Sequence, residues 1–164
     1  MNSEFKNVHN WFLSNKLALN TKKTHFMIFG TNANSVVKIK INDNEIQRVK
    51  SIKFLGVTID EDLKWKNHVN NILCIISRNI GIMNRMKDFL PEHVLILLYN
   101  SLILPYLNYC NINWGSCNKY LLDRIYKLQK RAIRILTQSS FLAHTRPLFL
   151  KCKILPIFEL YKYN

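Results

Sequence analysis

Acidic side chains are in short supply: ten Asp and Glu stand against 24 Lys and Arg, a formal charge of +14. An excess of that size favours polyanionic partners, nucleic acid ahead of an anionic membrane surface. The surplus is uneven. Residues 1–60 carry 9 basic and 4 acidic groups, and residues 119–164 carry 10 and 2. Metal-binding spacings are missing too. Cys74, Cys110, Cys117 and Cys152 form no paired C-x2-4-C cluster, and the scattered histidines form no finger-type pair, so a zinc site is not expected. The most apolar window, 94–104, is broken by Tyr99-Asn100-Ser101 and falls far short of the ~20 residues that span a bilayer, so no membrane partner is expected. Met1-Asn2-Ser3-Glu4 lacks the basic start and apolar run of a secretory signal. The expected setting is therefore intracellular, nucleus or cytoplasm, with reduced thiols and no disulfides. There is no Ser/His/Asp set, P-loop, HExxH helix or internal repeat, which removes the commonest hydrolase and nucleotide-binding signatures.

What is present is a 48% apolar chain of 164 residues, enough to bury a core in one domain or two small ones. Phe5, Val8 and Phe12 repeat at helical spacing with Trp11 alongside, Asn2 or Ser3 can cap this first helix, and Asn15 and Asn20 suit its exit. A short apolar strand is expected over 25–29, then a loop over 30–35. Val37, Ile39 and Ile41 alternate with Lys38 and Lys40, and residues 42–45 make a turn before Ile46, Val49 and Ile52, which predicts a hairpin. A further strand is expected over 54–59. The first 60 residues read as a helix plus a small antiparallel sheet.

The period changes from 2 to 3.6 after Asp60. Trp65, Val69, Ile72, Ile76, Ile80 and Met83 form one stripe of a long helix, with Asp60 or Asp62 as its cap. Pro91 and Pro105 bracket a very apolar helix expected to lie centrally, and an aromatic, irregular stretch follows over 106–114. A third helix is expected over 119–137, and a shorter one after Pro156. The fold class is α+β. The domains expected are 1–61, a helix with strands, and 62–164, a helical bundle.

The third helix has the clearest binding geometry. At 100° per residue, Leu121, Ile125, Leu128, Ala132 and Ile135 share one stripe, and Arg124, Lys127, Arg131 and Arg134 a second about 110° away. Asp123 is the only carboxylate between positions 93 and 158, so intrahelical ion pairs do not account for these cations. Two readings stand, a solvated amphipathic face and a row of phosphate contacts. Tyr106, Tyr109 and Trp114 belong either to the core or to a base-stacking surface. Asp60, Glu61 and Asp62 form the one acidic cluster, and adjacent positions on one turn suit helix capping better than the converging ligands of a two-metal site, for which Asp43 is an unconvincing third.

Several strings stand in a revealing order: Trp11-Phe12, Leu17-Ala18-Leu19-Asn20-Thr21-Lys22-Lys23-Thr24, and Phe54-Leu55-Gly56 with Val57-Thr58-Ile59-Asp60. Further on come Leu97-Leu98-Tyr99-Asn100-Ser101-Leu102, Trp114-Gly115-Ser116, Leu128-Gln129-Lys130-Arg131-Ala132-Ile133-Arg134 and Pro147-Leu148-Phe149. Together they resemble the reverse transcriptases (RNA-directed DNA polymerases) of non-LTR, LINE-like (jockey-type) retrotransposons, over nearly the whole chain. The resemblance implies that 1–61 is the C-terminal edge of the polymerase palm and 62–164 the thumb. It implies that Lys22 or Lys23 approaches the incoming nucleotide's phosphates, that Phe54, Leu55 and Gly56, in a hairpin with Val57-Thr58-Ile59-Asp60, form the primer grip, and that Arg124, Lys127, Lys130, Arg131 and Arg134 face the template–primer.

The family's aromatic-x-Asp-Asp strand, which binds two magnesium ions with an upstream Asp, has no counterpart, because the chain contains no Asp-Asp pair and starts about where that strand should have ended. The expectation is a fragment that binds and positions RNA or DNA template–primer, without catalytic or metal residues or a bound cofactor. Mg2+ would belong to the complete enzyme and the missing N-terminal polymerase half would be a partner. The alternatives are a repurposed nucleic-acid-binding module, and an inert degenerate copy or helical protein-interaction domain.

Overall fold

A computed structural model describes residues 2–30, 37–41 and 44–163. The expected loop over 31–35, the turn residues Asn42 and Asp43, and the capping side chains of Asn2 and Ser3 lie outside the described residues. The chain is α+β and divides into two compact units, 1–63 and 64–164.

In the first unit, α1 (Asn2–Ser14) packs against β2 (Ile39–Ile41). Strand β3 (Asn44–Arg48) is central to a three-stranded sheet: it pairs antiparallel with β2, Ile39 opposite Ile46, and parallel with β1 (His25–Phe26), His25 opposite Gln47. The alternation works as read, with Ile39 and Ile41 buried and Lys40 exposed between them. Ile39, Ile41 and Ile46 gather Phe5, Leu19, Phe26 and Val37 around them.

Three expectations change in this unit. The strand over 25–29 is only two residues long and its pairing is parallel; the bond from Val49 N–H to the Phe26 carbonyl ends the ladder. The strand expected through Ile52 breaks after Arg48, because β4 (Ser51–Phe54) belongs to a second sheet. The single strand that the residue pattern predicts over 54–59 is instead a hairpin, β4 with β5 (Val57–Asp60), turning at Leu55 and Gly56, as the resemblance implies for this stretch. Both turn residues have positive φ, 45° and 86°, as a two-residue turn of the I′ kind demands. Gly56 adopts this without strain, whereas Leu55 pays a steric penalty for it.

In the second unit, α2 (Lys66–Met86) buries Val69, Ile72, Ile76, Ile80 and Met83, the stripe expected, together with Leu73 and His68. Its cap is not as expected. The N-cap is Trp65, in left-handed conformation at φ 62°, with no side-chain capping bond. Asp60 instead ends β5, buried, accepting a bond from Ser51 Oγ at 3.2 Å.

Pro91 starts α3 (Glu92–Leu102) as its N-cap. Pro105 does not end a helix; it occupies the first turn of α4 (Leu104–Asn108), where its missing N–H costs nothing. The aromatic stretch also holds α5 (Asn111–Trp114). Gly115 follows because a Cβ there would be driven into Asn111 and the Tyr161 ring.

Helix α6 (Lys119–Leu136) matches its expected span and is capped by Asn118, whose side chain accepts from Tyr120 N–H at 2.9 Å. This helix, rather than α3, is the central one. It packs on α2, α3, α7 (Thr145–Cys152) and α8 (Ile157–Tyr163), and it buries Leu122, Gln129, Ile133 and Leu136 as well as Leu121, Ile125, Ala132 and Ile135 of the predicted stripe, whose fifth member, Leu128, is half-buried at the groove described below. By contrast α3 buries only Leu95 and Tyr99 and leaves Leu97 64% exposed. Gln129 ties the bundle: its amide donates to Tyr99 Oη (2.9 Å) and the Leu155 carbonyl (2.8 Å), and its oxygen accepts from Ile157 N–H (2.9 Å).

Candidate nucleic-acid interface

Because α6 buries so broad a face, its cations are pressed onto the remaining arc, and neighbouring elements fix what each does. Arg124 donates to Asn70 Oδ1 of α2 at 2.8 Å and lies 5.9 Å from the Tyr120 ring centre. Lys127 and Arg131 are exposed. Arg134 donates through Nε to the Ala143 carbonyl at 3.0 Å and sits 5.8 Å from the Phe141 ring. Lys130 leaves the row, its ammonium 4.8 Å from the Tyr126 ring. The four cations of the stripe do share one side, and none makes an ion pair recorded among the described residues.

Helix α2 completes this surface. A groove of about 800 Å³ runs between α2 and α6, lined by Asn70, Ser77 and Arg78 on one wall and Arg124, Lys127 and Leu128 on the other, with no carboxylate among its described lining. A cleft of about 570 Å³ lies where Lys87, Asp88, Arg131, Arg134, Ser139 and Phe141 meet. Arg78 and Lys87 were not among the sequence candidates. The signal was available, since Asn70, Ser77 and Asn84 recur every seven residues beside the apolar stripe and mark the polar edge of α2.

Lys22 and Lys23 lie in the first unit, both exposed, in a turn that Asn20 organises by accepting from Lys23 N–H at 3.0 Å through its carbonyl and 3.2 Å through Oδ1. Phe54 and Leu55 stand exposed at the β4–β5 hairpin with Gly56. Trp114 is core rather than a stacking surface: it is fully buried, donates to the Tyr109 carbonyl at 2.8 Å and lies edge-on to His68. Tyr106 and Tyr109 remain exposed.

The acidic cluster does not suit Mg2+. Glu61 pairs with Arg48 at 3.2 Å and Lys50 at 3.9 Å, Asp60 is buried against Ser51, and no group of three metal-ligating side chains converges among the described residues. A two-metal site needs several carboxylates aimed at one point, and these are spent on neighbours.

Comparison with known proteins agrees with the order of motifs. The chain is 24% identical over 139 residues, 83% of its length, to the RNA-directed DNA polymerase from mobile element jockey of Drosophila melanogaster. It is 22% identical over 156 residues, 91% of its length, to the probable RNA-directed DNA polymerase from transposon X-element of the same organism. It spans 15% and 17% of those two relatives. No family model matches the chain, and no solved structure does. Over most of its length the chain is related to the reverse transcriptases of non-LTR retrotransposons.

Proposed function

We propose that this chain is a gripping part of a retrotransposon reverse transcriptase, holding the backbone of template–primer nucleic acid on the α2–α6 surface and contributing position rather than bond formation. The observation that carries this reading is the groove lined by Arg78, Arg124 and Lys127 with no carboxylate in its described lining. Cations without local counter-ions attract phosphates, and each phosphate neutralised releases counter-ions and adds sequence-independent affinity. On the same reading the second unit serves as a thumb, the exposed Lys22 and Lys23 approach a nucleotide's phosphates, and the tight Leu55-Gly56 turn meets the primer end. The chemistry would reside in polymerase sequence carrying the aromatic-x-Asp-Asp carboxylates and their Mg2+.

Filter binding of a primed duplex across salt concentrations tests the grip. Affinity should fall steeply with salt, and Lys127→Gln with Arg131→Gln should flatten the log–log slope by about 1.8 while leaving the helical circular dichroism unchanged. Affinity insensitive to salt, or an unchanged slope in the double variant, would instead favour a protein-interaction domain. Magnesium-dependent primer extension by the pure chain would overturn the non-catalytic part of the proposal.

A further inference from the structure

The cleft at the C-terminal end of α6 differs from the groove beside it in holding an exposed aromatic ring. Phe141 is 78% exposed, yet its loop is not loose. Ser139 N–H donates to the Arg134 carbonyl at 2.9 Å, Ala143 N–H to the Ser140 carbonyl at 3.0 Å, and Arg134 Nε to the Ala143 carbonyl at 3.0 Å. Gln138 reaches across to the Lys87 carbonyl at 2.9 Å, joining this loop to the end of α2. The ring is therefore held out in water by a folded-back segment. A phenyl group so exposed buries little apolar surface, and the Arg134 guanidinium beside it compensates for only a small part of that.

Its surroundings indicate what it is for. One guanidinium, Arg134, lies against the ring, while Arg131 and Lys87 line the same cleft, three cations against the carboxylate of Asp88 among its described lining. Thr137, Gln138 and Ser139 N–H groups cap the last carbonyls of α6, which reduces the negative field that would repel an anion. A ring for a base and cations for its phosphates at one mouth is the pairing that single-stranded nucleic acid uses. The internal bases of a duplex cannot use it, because they are already stacked on each other.

We propose that this cleft binds an unpaired nucleotide, its base stacked on Phe141 and its phosphates at Arg131 and Lys87. The proposal rests on the nucleic-acid grip above and adds a strand preference to it: the groove holds backbone of any kind, and the cleft selects a single-stranded segment next to it.

Fluorescence anisotropy on the full chain tests this with labelled oligothymidylate, oligouridylate and a blunt DNA duplex. Phe141→Ala should weaken both single strands roughly tenfold, change duplex binding less than about twofold and leave the salt slope intact. Phe141→Tyr should restore single-strand binding, and Leu142→Ala, altering the adjacent exposed apolar residue, should do nothing. Response of only one of the two single strands would assign the cleft to DNA or to RNA, still in support. Equal loss on duplex and single strand, or no loss on either single strand, overturns the cleft while wild-type duplex binding keeps the grip. Wild-type chain that binds none of the three overturns both.

Discussion

Among the described residues, 64–164 join 24 buried side chains in one continuous cluster, whereas the cluster of 1–63 holds three, Ile39, Ile41 and Ile46. The apolar residues of the first unit are no fewer in kind; they are placed outside. Val8, Trp11, Leu13, Leu17, Phe29, Phe54 and Leu55 are all exposed, Trp11 by 59% and Leu55 by 75%. Small domains bury a lower fraction of their surface to begin with, and among the described residues of this unit α1 is the one helix that covers the sheet. The contrast teaches that the second unit carries its stability within its own residues, while the first presents apolar surface of the kind that marks an interaction face.

The largest effect that sharpens this contrast is expected at Trp114. Removing a fully buried indole and the bond it gives the Tyr109 carbonyl should cost the second unit about 3–5 kcal/mol, read as a lowered urea midpoint of the helical signal in Trp114→Ala. Ile46→Ala removes less, about 2–4 kcal/mol, yet from a three-residue core. It should abolish amide-exchange protection across β2 and β3, whereas Trp114→Ala should leave a measurable folded population. If Ile46→Ala keeps that protection, the first unit is better built than its burial implies and the comparison breaks.

Next in size is Gln129. Gln129→Leu preserves bulk but strips partners from the Tyr99 hydroxyl, the Leu155 carbonyl and the Ile157 amide, all within the bundle. About 3 kcal/mol is expected by urea unfolding, since buried polar groups left unmade cost more than the bonds contributed. A change below about 1 kcal/mol would mean water replaces the amide, and that the second unit is looser inside than its cluster indicates.

Gln129 also marks how far the sequence could be read. The long helices were legible, because burial of Val69, Ile72, Ile76, Ile80 and Met83 follows from spacing alone. What escaped depends on partners distant in sequence. Arg124 meets Asn70 54 positions away, and a helical wheel of α6 contains neither Asn70 nor Arg78. The breadth of the buried face of α6 follows from three-sided packing, so the apolar stripe appeared as a surface helix's seam when it is the centre of a bundle. Helix α7 was missed because it is short and carries Pro147 in its first turn, which reads as a break before its position is known. The short strands were illegible in the residue pattern for a related reason: β4 and β5 carry no long alternation, so the turn that the positive φ at Leu55 and Gly56 makes within an apolar run was legible through the resemblance and not through periodicity.

Alkaline pH separates the units more gently. Every cysteine and tyrosine lies in the second unit. Burial pushes the Cys117 and Cys152 thiols up, with the Glu92 carboxylate adding to the effect at Cys152, and burial raises the Tyr99 phenol despite its bond from Gln129. A thiol that ionises from about pH 8.5 in the unfolded chain but later in the folded one leaves the folded state binding more protons. Stability is thus fully present below that pH and falls as pH rises through the folded values, with Tyr99 extending the fall above about pH 10. The urea midpoint of the helical signal should decline from pH 8 to 10. Exchange protection in β2 and β3, corrected for intrinsic rates, should not follow it; a parallel decline would assign the alkaline transition to something other than these buried acids.

The smallest expected effect on stability addresses the exposed surface itself. Trp11 and Val8 are both on the outward side of α1, so Trp11→Lys with Val8→Lys should change the unfolding free energy by no more than about 0.5 kcal/mol each, the range for surface positions away from special contacts. The same double variant should reduce self-association of the chain in sedimentation velocity, because contiguous exposed apolar side chains drive association between copies. Were the variant to unfold the first unit instead, Trp11 and Val8 would be part of its core in solution, and the thin-core side of the comparison would have to be withdrawn. Unchanged sedimentation with unchanged stability would place the adhesive surface elsewhere in the unit, with Phe54 and Leu55 at the hairpin tip the next pair to alter.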